Sequence, residues 1–441
     1  MKPTGERQAA AASALNPSPV AAGDVQLNLD EARAAIAAAL KPLGGVEHVQ
    51  LQAALGRVLA ADVISGIDVP AHDNSAMDGY AFKGAALATG EESSLQSVGT
   101  AFAGPPFAGT VGPGQCVRIM TGAVMPAGLD TVVPIELCEL AGDAATGQVR
   151  IAADTVRAGD NRRLRGEDLA NGQSALTAGR VLRAADLGLM ASLGIEAVAV
   201  RPRLRVAVFS TGNELRDLGQ TLDPGCVYDS NRHALLAALQ RLGMETIDLG
   251  VVRDEPAALQ ATLEHALATA DAVLTSGGVS AGDADHTRAL LAQMGEVAFW
   301  KVALRPGRPF AFGPVRSLVG PAARQGWLFA LPGNPVAALV TFYALVRDGL
   351  LQLAGATPLP LPMLQVRCTQ AIRKRPGRTE LQRGLLSQGE DGQWQVALAG
   401  SQGAGILRSM CSANALIVLG NDQDSVPAGG LVDVWLFDGL I

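Results

Sequence analysis

Leu204-Arg205-Val206-Ala207-Val208-Phe209-Ser210-Thr211-Gly212-Asn213-Glu214 opens a run of alternating patterns, and that run decides the fold. Leu204 to Phe209 reads as a buried strand that ends in a polar, glycine-containing turn. Asn231 to Leu242 then reads as helix, Thr246 to Val252 as strand, Pro256 to Ala268 as helix and Ala272 to Thr275 as strand. Strands alternating with longer helical segments predict βαβ units, hence a parallel sheet with helices on both faces. Ligands of such sheets sit beyond the carboxyl ends of the strands, so chemistry is expected in the loops that follow them.

The loop Thr275-Ser276-Gly277-Gly278-Val279-Ser280-Ala281-Gly282-Asp283-Ala284-Asp285 follows one of those strands and precedes a helix expected to begin near His286. Paired glycines let backbone approach a ligand, and N–H groups together with a helix N-terminus form an anion site, so Gly277, Gly278 and Ser280 are candidate phosphate contacts. A tight turn with Asp285 as an ordinary cap reads the same residues equally well. Thr211 and Glu214 fall on the same rim. Glu214 and Asp285 offer hard oxygen ligands suited to Mg²⁺ bridging phosphate oxygens, with Asp254 as a third candidate. Each of these carboxylates taken alone reads as a cap or a solvated group, and it is their shared position that favours the ligand reading.

Positive charge is concentrated in Trp300-Lys301-Val302-Ala303-Leu304-Arg305-Pro306-Gly307-Arg308-Pro309-Phe310. Lys301, Arg305 and Arg308 are set on a backbone restricted by two prolines and flanked by apolar residues, which suits an anion contact better than a solvated strand end. Leu331-Pro332-Gly333-Asn334-Pro335 reads as a rigid turn into a helix and needs no ligand to explain it. The uncharged stretch Gln325 to Val346 is long enough to suggest a membrane span, but that turn breaks it into a buried strand and a buried helix start.

Outward from this region the chain changes character. Residues 1–24 read as a disordered tail, and a helix from Leu29 to Leu40, capped by Asn28 or Asp30, opens the ordered part. Residues 47–163 show short alternating runs between Gly and Pro clusters, such as Cys116 to Met120 and Thr131 to Ile135, and predict a β-rich domain. Residues 25–46 and 164–200, with a helix at Ala184 to Leu193, form a linking domain; 201–357 is the α/β domain; 358–441 is a small β domain. Its strand candidates are Leu364 to Cys368, Trp394 to Leu398, Leu416 to Leu419 and Val432 to Leu436.

Composition narrows the function. With 48% hydrophobic and 17% charged residues among 441, the chain has ample core and is not disordered throughout. A formal charge of −7 with no Lys/Arg block longer than three residues argues against a phosphate-backbone footprint, so nucleic acid is not an expected partner. Five scattered cysteines without metal spacing point to a reducing, cytoplasmic setting.

Taken together, DNSAMDGYA at 73–81, RIMTGA at 118–123, RGED at 165–168, STGNEL at 210–215, SGGVSAGDAD at 276–285, ALRPGRPFAFG at 303–313 and LPGNP at 331–335 resemble the molybdopterin molybdenumtransferase family, which includes the E domain of gephyrin. The resemblance runs from about Leu27 to the C-terminus. It implies an elongated, four-domain subunit of α/β plus β class: a molybdopterin-binding three-layer α/β domain, a β-rich insert and a small β-barrel-like C-terminal domain. It also implies a homodimer that inserts molybdate into adenylylated molybdopterin and releases AMP with Mg²⁺. Implied partners are the molybdopterin adenylyltransferase and molybdoenzyme chaperones, with no membrane.

By the same resemblance Glu214, Asp254, Ser280 and Asp285 are substrate and Mg²⁺ residues, and Arg305 and Arg308 bind molybdate with Lys301 nearby. Asp78 and Thr121 would come from the second subunit, Asp168 belongs to a further motif, and Arg378 or Arg383 contacts the oxyanion. Arg305 and Arg308 stand where lysines are usual, while Ala337 and Ala404 replace frequent serines. Two alternatives share the fold: a nucleotide pyrophosphatase on a related α/β domain, which should lack the RIMTGA and DNSAMDGYA segment, and a non-catalytic scaffold.

Overall fold

The structure, a computed structural model, describes residues 25–87, 90–278, 284–318 and 324–437, with backbone alone for 25 and 284–287. The expected N-terminal tail and Ser280 lie outside the described residues. The chain forms two compact units: one holds residues up to Ala60, Gly179–Arg183 and everything from Val198 onward, the other Ala61–Ala178 with Ala184–Ala197. Residues 47–60, expected in the β-rich domain, fall in the first unit. The reason is pairing: Val58 bridges to Val181, Leu59 to Val200, and Glu47–Gln50 pairs with Ala197–Val200.

At the centre of the first unit is a seven-stranded sheet ordered Val25–Leu27, Ala298–Val302, Pro309–Arg316, Gln325–Leu331, Ala272–Ser276, Arg205–Thr211, Glu245–Val252. The strands expected to lie parallel do so, and Pro309–Arg316 joins them antiparallel to both its neighbours. The turn 303–308 is too short for the crossover that a parallel return requires. Val206, Val208 and Leu274 enter one apolar core, with Leu235 and Leu239 of helix Ser230–Arg241 and Val336 of the helix that follows the last strand. Ala207, Phe209 and Val273 enter another, with Leu263 and Leu267 of helix Pro256–Thr269 and Leu291 and Met294 of helix Ala284–Met294. Alternate residues of one strand thus fill opposite cores, which is why these strands are apolar throughout rather than every second residue.

Helix Leu29–Ala39 starts at a capping box in which Asn28 Oδ1 accepts from Glu31 N and Glu31 accepts from Asn28 N, both at 2.9 Å. Pro335 begins a helical stretch to Leu353, relaxed into a π turn at Phe342–Val346. Among the described residues it is the one helix long and apolar enough to cross a membrane, and 72% of that apolar window is buried inside the fold.

C-terminally, Thr379–Gln388, Trp394–Leu398, Met363–Cys368, Leu431–Leu436 and Ala415–Leu419 pair in that order, and the last pairs back to the first, closing a five-stranded barrel. Val366, Val396, Ile417 and Val434 fill it. Its longest strand, Thr379–Gln388, and the helix Leu407–Ser412 add to the four strands expected. That long strand also receives Leu304–Arg305 in parallel, with Arg305 opposite Glu380.

The second unit is built on a six-stranded sheet ordered Thr131–Pro134, Gly79–Phe82, Gln115–Ile119, Ser93–Ala101, Gln148–Ile151, Glu139–Ala141. Tyr80, Phe82, Cys116 and Val133 fill one side, and Ala81, Val117, Ile119 and Val132 the other.

Candidate functional site

Four parallel strands end at Thr211, Val252, Ser276 and Leu331, so their following loops share one rim. These loops line a cleft of about 1680 Å³ within the first unit, together with turn 303–309 and barrel loops 375–378 and 402–405. That exceeds the ~300–1,000 Å³ of a site for one drug-sized ligand, so the cleft has room for a heterocycle, phosphates and a separate anion.

Local geometry explains the glycines. Gly277 has φ +96°, and a side chain there would overlap the carbonyl oxygen of Thr211. Only glycine lets the two loops press together. Gly277 N donates to Leu331 O at 3.1 Å, tying the glycine turn to the end of the neighbouring strand. Gly307, φ +119°, sits against the Thr341 hydroxyl, which leaves no space for a Cβ between Arg305 and Arg308.

Asn231 locks the rim from beneath. Its amide donates to Ser276 Oγ at 2.8 Å and to Gly333 O at 2.7 Å. The preceding Asp229 caps the same helix by accepting from Arg232 N at 3.1 Å, and it accepts from Ser210 Oγ at 3.0 Å. Arg232 is buried among three carboxylates: Asp229 at 3.0 Å, Asp248 at 2.5 Å and Asp217. Burial opposes its charge, but hydrogen bonds to Asp248 and Asp229 prevail and hold the guanidinium above its usual value.

The cleft is acidic at one end. Thr211 Oγ1 donates to Asp254, whose own N–H donates to Asn213 Oδ1 at 3.4 Å. Glu214 folds over Gly212, and both carboxylates are exposed to the cleft. Among the described residues no three His, Cys, Asp or Glu side chains form a ready cage for a metal. Two exposed carboxylates facing room for phosphate nevertheless suit Mg²⁺, which keeps water and takes one or two carboxylates plus substrate oxygens. Asp285 lies in the first turn of helix Ala284–Met294, and its side chain is outside the described residues.

The other end is basic. Lys301, Arg305 and Arg308 line the cleft with exposed side chains, as do Arg375 and Arg378 from the barrel. Loop 375–378 is held by Lys374, a buried ammonium donating to the carbonyls of Gln423 at 2.7 Å and of Asn421 and Arg375 at 3.3 Å. The α/β body and the barrel join here through Val336 N to Ala404 O at 3.0 Å and Thr379 N to Ala303 O at 2.8 Å.

Of the two barrel arginines expected at an oxyanion, Arg378 lines the cleft and Arg383 does not. Arg383 is 1% exposed, and its guanidinium is engaged by Ser409 Oγ at 3.0 Å and by the carbonyls of Ser401 and Gly403 at 3.1 Å. It holds the loop 401–405, of which residues 402–405 line the wall. Arg375, Glu380, Lys374 and Asn231 went unnoticed in the sequence. The run RKRPGR at 373–378 is a second Pro-Gly-spaced basic turn like that at 305–308, and that likeness was the available signal.

Asp78 and Thr121 belong to the second unit and meet each other there. Thr121 donates to Asp78 Oδ1 from its backbone N at 2.6 Å and from its hydroxyl at 2.7 Å. The backbone bond first and the hydroxyl second hold the Asp78 carboxyl below the usual carboxylate range. Asp168 of the same unit is exposed and donates its N–H to Val69 O at 3.1 Å.

Three family models match: the MoeA N-terminal region (domain I and II) at 27–194, a "Probable molybdopterin binding domain" at 207–352 and the MoeA C-terminal region (domain IV) at 365–437. A molybdopterin molybdenumtransferase of Haemophilus influenzae is 39% identical over 416 residues, spanning 94% of this chain and 100% of the relative. One from Nostoc is 37% identical over 391 residues, 87% of each. The crystal structure of a molybdopterin biosynthesis moeA protein from Pyrococcus horikoshii OT3 superposes with TM-score 0.77 at 25% identity, covering 93% of this chain and 100% of that one.

Proposed function

The chain belongs to the molybdopterin molybdenumtransferase family, and from that premise we propose that its two-ended cleft holds adenylylated molybdopterin across the glycine turn and molybdate at the arginines. As a transferase of molybdenum-cofactor biosynthesis it must part AMP from the pterin phosphate and exchange molybdate oxygens for dithiolene sulfurs. The observation that carries the reading is the arrangement of one cleft along the strand order of the sheet: Glu214 and Asp254 follow strands at one edge, Gly277 and Gly278 a central strand, and Lys301, Arg305 and Arg308 lie on and between strands toward the other edge.

Breaking a phosphoanhydride builds charge on phosphate oxygens, and a cleft-bound Mg²⁺ would neutralise part of it. Glu214 and Asp254, with Asp285, are the proposed holders of that ion. Thr211 donates to Asp254 and so fixes the direction of its carboxylate. Ser280 and the glycine turn cradle the phosphates, while Arg305 and Arg308 present fixed forks to a tetrahedral dianion beside them. Arginine in place of the usual lysine adds donors at the same charge. Arg378 joins that set from the barrel, and Arg383 serves by shaping the 401–405 wall.

Asp78 and Thr121 are proposed to complete the cleft of a second copy in a homodimer, with Asp168 in the same unit. Five unpaired cysteines fit a reducing cytoplasm, where an adenylylating enzyme supplies the substrate and molybdoenzyme assembly factors take the product. The test is AMP release from purified protein given adenylylated molybdopterin and Mg²⁺, with and without molybdate. Molybdate-dependent AMP is expected; release that ignores molybdate, or none at all, overturns the proposal.

A further inference from the structure

Glu380 is 2% exposed, yet its Oε1 stands between two cleft arginines: 3.2 Å from Arg378 Nε and 3.6 Å from Arg305 Nη1. The other oxygen accepts from Gln382 Nε2 at 3.0 Å. The two arginines come from different parts of the fold, Arg305 from the α/β turn and Arg378 from the barrel, and the pairing of Leu304–Arg305 with Thr379–Gln388 puts Glu380 directly opposite Arg305. Both guanidinium side chains remain about half exposed, at 58% and 44%.

Two guanidinium groups at one end of a cleft repel each other and would swing apart into water unless a negative charge held them. Each guanidinium has five N–H donors, and Glu380 Oε1 is approached by Nε of Arg378 and Nη1 of Arg305. Both arginines line the cleft. A carboxylate so placed is poor at excluding an anion from the open side but effective at fixing the spacing of the forks that receive it.

We propose that Glu380 is a positioning residue for the oxyanion: it couples Arg305 to Arg378 across the two domains, so that together they recognise a tetrahedral metal oxyanion. This rests on the reading that the basic end takes molybdate. It makes Glu380 specific to the oxyanion half of the reaction, with no role in holding the adenylylated pterin.

The experiment compares wild type with E380Q, which keeps size and loses charge, and E380D, which keeps charge and withdraws the oxygens. Steady-state AMP release gives KM for molybdate and for adenylylated molybdopterin separately, and calorimetric titration of sodium molybdate into the enzyme gives binding without turnover. E380Q is expected to raise the molybdate KM and Kd about tenfold, the loss of one charge-assisted contact, with kcat and the pterin KM unchanged; E380D should fall between. Unchanged or tighter molybdate binding by E380Q overturns the proposal, since the carboxylate would then be idle or a competitor. Equal weakening toward both substrates overturns it as well, as a general structural defect. If E380Q does not fold, E380D must show the selective molybdate effect, and its absence is decisive. Should the wild type release no AMP in response to molybdate, the functional reading fails, while the titration still decides the coupling of the arginines.

Discussion

Asn231 donates its amide to the carbonyl of Gly333 at 2.7 Å, so a helix side chain fastens the turn that ends the neighbouring strand. Through Ser276 Oγ it fastens the next strand too. Asn231→Leu removes both bonds and strands the Gly333 carbonyl. Unfolding in urea should show a loss of about 1–3 kcal/mol, the cost of unpaired buried polar groups, with AMP release falling alongside. A variant that keeps both its urea midpoint and its rate would show that the rim holds its shape without this tie.

Arg232→Met leaves the buried Asp229 carboxylate without its cation. Removing one partner of a buried ionic cluster costs about 3–5 kcal/mol, and the half-exposed Asp217 and Asp248 bring the expectation to the lower figure. Because Asp229 lines the cleft and caps the helix bearing Asn231, activity should fall even at temperatures where the variant is folded. Chemical denaturation and initial rates measured on the same preparation check both parts.

Glu214→Gln keeps the shape of the acidic end and removes one charge. The Mg²⁺ concentration for half-maximal AMP release should rise about tenfold, near the effect of one charge-assisted contact, with a smaller change in the rate at saturating Mg²⁺. If the Mg²⁺ curve is superimposable on that of the wild type, Glu214 is not a ligand.

Acid should weaken the second unit. Asp68 is held below its ordinary value by the backbone N–H of Asn171 and then by Arg165, and Asp78 by Thr121. A depressed carboxyl favours folding fully above its unfolded value and loses that contribution as pH falls through the folded one. Thermal midpoints should therefore be flat from neutrality to about pH 5, then drop below the ordinary carboxylate value near 4. Asp78→Asn should flatten part of that drop; an unchanged acid limb would count against the linkage.

Much of the site was legible in the residues because a parallel strand announces its own end. Val206 to Phe209 is apolar at every position since both faces are buried, so the polar turn after it had to be a loop at the sheet rim. The same logic placed Thr211, Asp254 and Gly277 on one rim, while Lys301 was legible only as concentrated positive charge. Arg383 lies outside the cleft lining for a reason sequence does not carry: neighbouring residues of a barrel strand point to opposite faces, and spacing does not say which face is the cleft. Glu380 escaped notice because a carboxylate between two arginines is visible only when strands far apart in the chain are paired. The long strand Thr379–Gln388 was missed because Arg383 and Gly384 interrupt its apolar pattern, although both are buried.

The parallel pairing of Leu304–Arg305 with Thr379–Gln388 makes the barrel inseparable from the body it follows. Cutting the chain at the proline-rich 358–362 segment would expose an unpaired ladder on each fragment and leave Arg305 without its counter-charge. An excised α/β body should accordingly self-associate through that bare edge, and only adding back the missing fragment in trans should restore its oxyanion end. Leu381, Met410, Leu416 and Trp435 of the barrel are also buried in the body's own core, so evolution could shuffle these modules only by re-inventing both the seam and that shared packing.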